Sequence, residues 1–255
     1  MRRLGETLSR YLSRPHHRHG VAAPTDPRRL LACLRPGDVL LVEGQTRISV
    51  AIKYLTQSTW SHAALYVGAA GGAVDGQGRP RCFVEADLRE GVRLVGVAEY
   101  AGLHCRICRP VGLDAAEIDA LIGYALARVG HRYDLKNVID LARYLLPTPP
   151  VPTGWRRRML ALGSGDPTRA ICSTLIAQAF QAVHYPILPI VEAVPANDPL
   201  CPDCRREILH VRHHSLFAPR DFDVSPYFAV VKPTLDAGFD PHALTWQPEP
   251  ETVGA

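Results

Sequence analysis

The sequence predicts an α+β domain in which a small antiparallel sheet or half-barrel packs against helices, one of which carries a cysteine. Alternating apolar runs, separated by turn-forming glycine and proline, predict the strands. Apolar residues at helical spacing predict the helices, and residues 169–183 form the stretch around which the chain is organised. With 255 residues, 47% hydrophobic and 21% charged, the chain can bury a full core.

The expected organisation is one domain over residues 31–235, with a basic arm over 1–30 and a tail over 236–255 that is expected to be unstructured. Within the domain, 147–167 is expected to form a surface flap and 186–215 an insertion. The arm has a few leucines at helical spacing and is compatible with peripheral contact to an anionic membrane. A helix docked on the domain, or a frayed tail, explains those few leucines better.

Strands follow from period-two alternation and turn signals. They are expected at residues 39–42, 62–68, 81–86, 92–95 and 104–109, with a closing strand within 216–231. The glycine-rich segment between the second and third strands is typical of a hairpin with a long loop. Antiparallel pairing would place Glu85 on a strand beside His62, but the shared face depends on a register that the sequence does not fix.

Helices are expected at residues 48–55, 115–129 and 135–146, and around the cysteine after residue 170. Asp114 and Glu117 form a capping-box pattern before the second of these helices, and Gly130 would end it. In the last helix, Cys172 should lie in the first turn. Unpaired backbone amides and the helix dipole favour a thiolate there.

Composition and charge narrow the possible functions. The net charge of +4 is mild and the arginines are scattered, so no nucleic-acid surface is predicted. There is no run of about eighteen apolar residues to span a membrane. The first twenty residues lack the apolar core of a signal peptide, so a cytoplasmic location is expected. Seven dispersed cysteines suit reduced thiols better than a disulfide scaffold.

Two Cys-x-x-Cys pairs leave a zinc site open as an alternative. Cys105 and Cys108 fall in an expected strand, where residues three apart face opposite sides, so packing is the favoured role. Cys201 and Cys204 form a better knuckle. That pair stands near three histidines, His210, His213 and His214. Such a zinc site would be structural, because no carboxylate that could activate a water molecule accompanies it. No metal or cofactor is predicted to take part in catalysis.

The chemistry-bearing residues form one hypothesis, in which Cys172 is a nucleophile, His62 its base and Glu85 the group that orients the imidazole. A thiol with a pKa near ~8.5 is mostly protonated at neutral pH, and a histidine partner shifts it toward thiolate. A carboxylate on the other ring nitrogen fixes the tautomer. Asp87 or Glu99 could take the place of Glu85.

Short motifs occur along the chain in a defined order. They are GDVL (37–40), WSHAALYVG (60–68), FVEA (83–86), GHRYD (130–134) and ICSTL (171–175). This order resembles the circularly permuted branch of the NlpC-type, papain-like cysteine hydrolases, the YiiX/YaeF-like amidases. In unpermuted relatives the cysteine helix precedes the histidine strand, whereas here Cys172 comes last. The resemblance covers about residues 34–232 and implies a permuted papain-like fold.

The resemblance also implies an activity, that of an amidase- or peptidase-type hydrolase cleaving an amide or ester bond through a covalent thioester. It implies that Cys172 attacks the carbonyl, that His62 is base and then acid, and that Glu85 is the third member. The backbone amide of Cys172 would contribute to an oxyanion hole. Tyr133 matches a family tyrosine beside the cysteine, which would contact substrate or pack. The substrate that the resemblance implies is a peptide, an amide or an acyl ester.

Two other functions remain open. A lipid-directed acyltransferase or thioesterase is one, because a similar permuted core occurs in lecithin:retinol-type acyltransferases. Those proteins carry histidine and cysteine in a different local motif, together with a membrane anchor that is not seen here. The other is a binding module that keeps the fold without catalysis, which a thiol-reactive probe would distinguish by labelling Cys172 only in an enzyme.

Overall fold

A computed structural model describes much of the chain, in several ranges. They are residues 24–87, 90–131, 171–195, 200–201, 204–236, 238–243 and 245. The expected flap, the expected helix at 135–146 and most of the N-terminal arm lie outside the described residues. Among the described residues, no helix has the length and apolarity needed to cross a bilayer.

The described strands form one large sheet and two hairpins. The strands are β1 (Val39–Val42), β2 (His62–Tyr66), β3 (Ala73–Val74), β4 (Pro80–Arg81), β5 (Phe83–Asp87), β6 (Gly91–Val95), β7 (Cys105–Pro110), β8 (Ile190–Pro195), β9 (Arg205–His210) and β10 (Phe228–Val231). The large sheet has the order β10-β7-β1-β2-β5-β6, and every neighbouring pair is antiparallel. The hairpins are β3–β4 and β8–β9. The antiparallel α+β prediction is confirmed.

The described helices and turns connect and cover these strands. The helices are α1 (Pro27–Cys33), α2 (Arg47–Thr56), α3 (Ala115–Leu126), α4 (Ile171–Ala182), α5 (Pro219–Asp223) and α6 (Pro233–Asp236). Turns of 3-10 helix occur at Gly68–Gly71, Val97–Tyr100, His214–Leu216 and Pro241–Ala243. The last of these turns lies in the tail that was expected to be unstructured. The capping box predicted at Asp114 and Glu117 is confirmed.

Both faces of the sheet are buried, and alternation along β2 divides its side chains between them. Ala63 and Leu65 belong to a core cluster shared with α3 and α4. Ala64 and Tyr66 point into a second cluster, which includes Leu30 of α1. This is the alternation that the sequence predicted, and it explains why β1, covered on both sides, is apolar at every position.

Helix α4 packs its apolar side against the sheet. Leu175, Ile176, Ala179 and Phe180 are at most 1% exposed, and all belong to the cluster that contains Ala63 and Leu65 of β2. At the start of the helix, Ser173 Oγ donates to the carbonyl of Phe217 at 2.6 Å. This buried hydrogen bond ties the start of α4 to the segment that follows the β8–β9 hairpin.

Two regions differ from the sequence-based expectation. The closing strand expected within 216–231 is shorter, because Pro219 starts α5 and Asp221 accepts a hydrogen bond from the Ala218 amide, so only residues 228–231 form β10. The proline-containing tract after residue 186 holds the β8–β9 hairpin. Its prolines bracket β8 instead of interrupting it, since Pro189 precedes the strand and Pro195 ends it.

A buried ion pair holds β7 against the start of β1. Arg109 donates to both carboxylate oxygens of Asp38, at 2.9 and 2.8 Å, and the Asp38 side chain is 1% exposed. The same guanidinium donates to the Cys33 carbonyl at the end of α1. Removal of one member would therefore leave a buried charge without its partner.

We expect Arg109→Ala to destabilise the fold by about 3 kcal/mol, because Asp38 would stay buried without its cation. Arg79→Ala is the matched control. Arg79 is 55% exposed and pairs with Asp75 at 2.8 Å, and such exposed pairs contribute little to stability. Urea unfolding followed by circular dichroism measures both values, and equal losses would contradict a special role for the buried pair.

Candidate active site

The site lies where β2 begins. His62 is the first residue of β2, and β2 pairs with β5 so that Ala64 lies opposite Glu85. Because side chains two apart on a strand share a face, His62 and Glu85 lie on the same side of the sheet. The two side chains meet, with His62 Nε2 and Glu85 Oε2 2.7 Å apart. The register of β2 and β5 thus shows that His62 and Glu85 share a face of the sheet, which the sequence alone did not determine.

Cys172 comes to the same place from the other end of the chain. It is the second residue of α4 and is 5% exposed, and it lies close enough to His62 to raise the pKa of that imidazole by its charge and by hydrogen bonding. Since Nε2 of that ring is engaged by Glu85, Nδ1 is the nitrogen left for the sulfur. The structure therefore brings the three predicted residues together in the order sulfur, imidazole, carboxylate.

The charge on His62 is set by competing effects. Burial of the ring lowers its pKa and is the largest single influence, but the nearby Cys172 and Glu85 raise it by charge and by hydrogen bonding. The net result is a pKa well above the usual 6.5. The sulfur and the carboxylate on either side of the imidazole therefore favour its protonated form.

Glu85 is a buried carboxylate held by several donors. Its 2% exposure alone would raise its pKa, but His62, Arg93 and Tyr100 lower it to about 2. Arg93 donates to Oε1 from Nε at 2.9 Å and approaches it with a terminal nitrogen at 2.7 Å. The Tyr100 hydroxyl donates to Oε2 at 2.7 Å. Glu85 consequently stays ionised across the physiological pH range.

Arg93 and Tyr100 are site residues that sequence reasoning missed. Arg93 lies on β6 directly opposite Glu85 on β5. Both strands were predicted correctly, and if their register had been known, the opposite charges of this cross-strand pair would have indicated Arg93. Tyr100 ends the 3-10 turn Val97–Tyr100, and no periodic pattern pointed to it. It also packs edge-on against Phe83, with ring centroids 5.1 Å apart.

The alternatives to Glu85 have other contacts. Asp87 accepts the backbone N–H of Glu90 at 3.0 Å. Glu99 accepts a hydrogen bond from Arg93 at 2.9 Å, so its carboxylate contacts Arg93 and not the imidazole. The carboxylate that meets His62 is that of Glu85. Tyr133, predicted to lie beside the cysteine, is outside the described residues.

The remaining cysteines fall into two groups. Cys105 and Cys108 point into opposite core clusters, as the strand argument predicted. Burial raises the pKa of the Cys105 thiol to about 12, and it raises that of Cys108 as well, so both are inert packing residues. Cys201 and Cys204 form a disulfide, so the expectation of reduced thiols is wrong for this pair.

The geometry also contradicts the zinc alternative at Cys201 and Cys204. Strand β9 begins at Arg205, next to Cys204, and ends at His210. At about 3.3 Å per residue, these five steps place His210 roughly 17 Å from the disulfide. A zinc ligand must lie within about 2.3 Å of the metal. His210 instead contacts Glu192 at 2.7 Å. The described residues contain no cluster of three or more histidine, cysteine or acidic side chains suited to a metal.

A cysteine on a helix against an antiparallel sheet, with a half-buried imidazole and a buried carboxylate beside it, is the arrangement of a papain-like cysteine hydrolase. The family comparison agrees. Residues 33–144 match the family described as "Permuted papain-like amidase enzyme, YaeF/YiiX, C92 family". Over this range the chain is similar to that family, as the motif order had suggested, and the range contains His62 and Glu85 but ends before Cys172.

A solved structure offers a further comparison. The crystal structure titled metalloprotein yiiX, from Escherichia coli O157:H7, is 15% identical to this chain. The alignment covers 78% of this chain and 96% of that one, with a TM-score of 0.44. A search of curated proteins finds no match.

We expect Tyr100→Phe to make the fold less resistant to acid. A carboxyl group whose pKa is lowered on folding stabilises the fold at a pH above its pKa in the unfolded chain. This stability is lost as the pH falls through its pKa in the folded protein, which is about 2 for Glu85. Loss of the Tyr100 hydroxyl raises the Glu85 pKa, so acid unfolding should begin at a higher pH. Circular dichroism along a pH titration measures this.

Tyr185→Phe is the control for that experiment. The Tyr185 hydroxyl donates to the Tyr227 carbonyl at 2.5 Å and bonds no carboxylate among the described residues. This variant should lose about 1 kcal/mol of stability at neutral pH without the same change in acid sensitivity. Identical acid titrations for both variants would show that the Tyr100 hydroxyl does not stabilise the ionised carboxylate.

Proposed function

We propose that this protein cleaves an amide or ester bond through a covalent thioester on Cys172, with His62 as general base and then acid and Glu85 as the orienting carboxylate. The observation that supports this most is the contact of one imidazole with both the sulfur and a buried carboxylate, the latter at 2.7 Å. Nucleophile, base and orienting group within hydrogen-bond reach is the usual signature of covalent catalysis.

The first step is attack by the sulfur. His62 holds the proton of Cys172 before the substrate arrives, so the sulfur attacks as a thiolate, and its lone pair forms a bond to the substrate carbonyl carbon while the carbonyl π electrons move to oxygen. The resulting oxyanion needs donors. The N–H of Cys172 is among the first amides of the described helix α4, whose N-terminal end carries the positive end of the helix dipole. This amide is our candidate for the oxyanion hole.

The second step releases the leaving group. When the oxyanion collapses, the carbon–nitrogen or carbon–oxygen bond breaks and the imidazolium of His62 gives its proton to the departing amine or alcohol. Water then loses a proton to the neutral imidazole and attacks the thioester, and the thiolate leaves as the carboxylic acid product forms. Glu85 keeps its negative charge throughout, which favours the protonated ring each time it forms.

Arg93 and Tyr100 support this cycle without touching the substrate. Together they engage both oxygens of Glu85, so that the carboxylate cannot rotate away from Nε2 of His62. Their donors also offset the cost of burying the charge, which is several kcal/mol for an ion without partners. They are positioning residues for the imidazole.

The cellular location of the protein is a separate question. The sequence predicts the cytoplasm. The Cys201–Cys204 disulfide weighs against it, because such bonds are typical of oxidising compartments.

We expect Cys172→Ala to abolish turnover of any substrate found in a panel of acyl amides and acyl esters, and His62→Ala to reduce it by on the order of a thousandfold or more. Cys33→Ala, which removes a thiol at the end of α1, is the control and should keep activity and thiol-probe labelling. Turnover that survives in Cys172→Ala would refute the thioester. Transfer of the acyl group to an added alcohol or amine, in place of water, would assign the acyltransferase function.

We expect Glu85→Gln to move the alkaline limb of the kcat/KM profile to lower pH. The carboxylate is one of the groups that raise the His62 pKa, so its neutralisation lets the imidazolium lose its proton at a lower pH. Glu90→Gln is the control, since Glu90 is 64% exposed and contacts Arg93 but not His62. An alkaline limb that stays in place in Glu85→Gln would mean that this carboxylate does not control the base.

A further inference from the structure

Residues 217–223, which we call the α5 segment, contact both of the chain segments that carry the nucleophile and the base. The contact with the nucleophile helix is partly apolar. Phe222 is fully buried in the core cluster that also contains Leu175 and Ile176 of α4. Its ring centroid lies 6.2 Å from that of Phe180, farther along the same helix. The α5 segment therefore packs directly on α4.

A buried hydrogen bond joins the α5 segment to the first turn of α4. Ser173 follows Cys172 directly and has no solvent exposure, and its Oγ donates to the Phe217 carbonyl at 2.6 Å. Such a bond is costly to break, because a group that loses its partner in the interior cannot turn to water instead. The α5 segment thus restrains the turn in which Cys172 lies.

Two further contacts reach the chain that leads into β2. Trp60, two residues before His62 and 3% exposed, donates from Nε1 to Asp223 Oδ2 at 3.0 Å. Arg220 donates to the carbonyl of Thr56, the last residue of α2, at 2.5 Å. These contacts hold both ends of the short turn from which His62 enters the sheet.

Asp223 is itself held by the sheet. Arg106 of β7 donates from one terminal nitrogen to both carboxylate oxygens of Asp223, at 2.7 and 2.9 Å. The same guanidinium lies 4.9 Å from the centre of the Trp60 ring, where a cation is attracted to the aromatic face. Because β7 pairs with β1 and β1 with β2, the Trp60 indole is fixed to the sheet that carries His62.

We propose that the α5 segment is a positioning element of the active site, which keeps Cys172 within reach of His62. It does so by holding Ser173, next to the nucleophile, and Trp60, at the entry to the strand of the base. The inference rests on the proposed function, because it concerns how nucleophile and base stay together. Its residues act through these neighbours, so they are positioning residues and not catalytic ones. A misplacement of about 1 Å in such a site costs about a hundredfold in rate.

Alkylation of Cys172 by iodoacetamide tests this proposal without a known substrate. At a pH of about 6.5 an ordinary thiol reacts slowly because little of it is thiolate, whereas a histidine partner raises the thiolate fraction. At a pH of about 9 ordinary thiols are ionised without help, so access alone governs the rate. The ratio of the two rates therefore reports the contact between sulfur and imidazole, whatever the exposure of the cysteine.

We expect Ser173→Ala and Asp223→Ala each to lower this ratio about tenfold, because the sulfur and the imidazole move apart. Peptide mass spectrometry follows Cys172, and the half-buried thiol of Cys33 in the same sample is the internal reference. Tyr185→Phe is the matched control, since it removes another hydroxyl that donates to a backbone carbonyl, outside the α5 segment. It should lose similar stability in urea and keep the wild-type ratio.

The double variant, Ser173→Ala with Asp223→Ala, distinguishes one positioning element from two independent contacts. If both contacts maintain the same separation, loss of either one already releases it, and the double variant should stay within about threefold of the lower single variant. Reductions that multiply, or single variants with the wild-type ratio, would overturn the proposal. A wild-type chain that shows the expected ratios but turns over no substrate would count against the hydrolase function and still support the α5 segment as the positioning element.

Discussion

The Glu85 carboxylate lies inside the protein at 2% exposure, and its negative charge is stable there only because His62, Arg93 and Tyr100 surround it. An unpaired charge at such a depth would cost several kcal/mol. The ion cluster therefore fixes the arrangement of neighbouring elements, since β2, β5 and β6 must keep their register for the three partners to reach it. It also sets the protonation of the imidazole that faces Cys172.

Local patterns predicted most of the elements and the identity of the central residues. Alternation placed β2 and β5 within two residues of their observed bounds, and helical spacing placed α4 with Cys172 in its first turn. The face shared by His62 and Glu85 stayed open because it depends on pairing between strands, which no local pattern encodes. Arg93 was missed for the same reason.

The hairpin shows a different limit of sequence reasoning. Its prolines favoured an irregular segment, yet they stand at the ends of β8, where a missing N–H has no cost. The spacing of Cys201 and Cys204 alone favoured a metal knuckle. In the structure the two cysteines form a disulfide, and His210 lies at the far end of the strand that follows them. Spacing predicts a metal site only when the backbone between the ligands turns back on itself.

The segment that leaves the β8–β9 hairpin is fastened to the nucleophile helix by hydrogen bonds. Gln181, near the end of α4, donates to the Arg212 carbonyl at 2.7 Å, and Ser173, next to Cys172, donates to the Phe217 carbonyl at 2.6 Å. The hairpin root is therefore fastened to α4 at both ends of the helix. Because close-packed elements move together, this segment restrains the helix that positions the sulfur against His62.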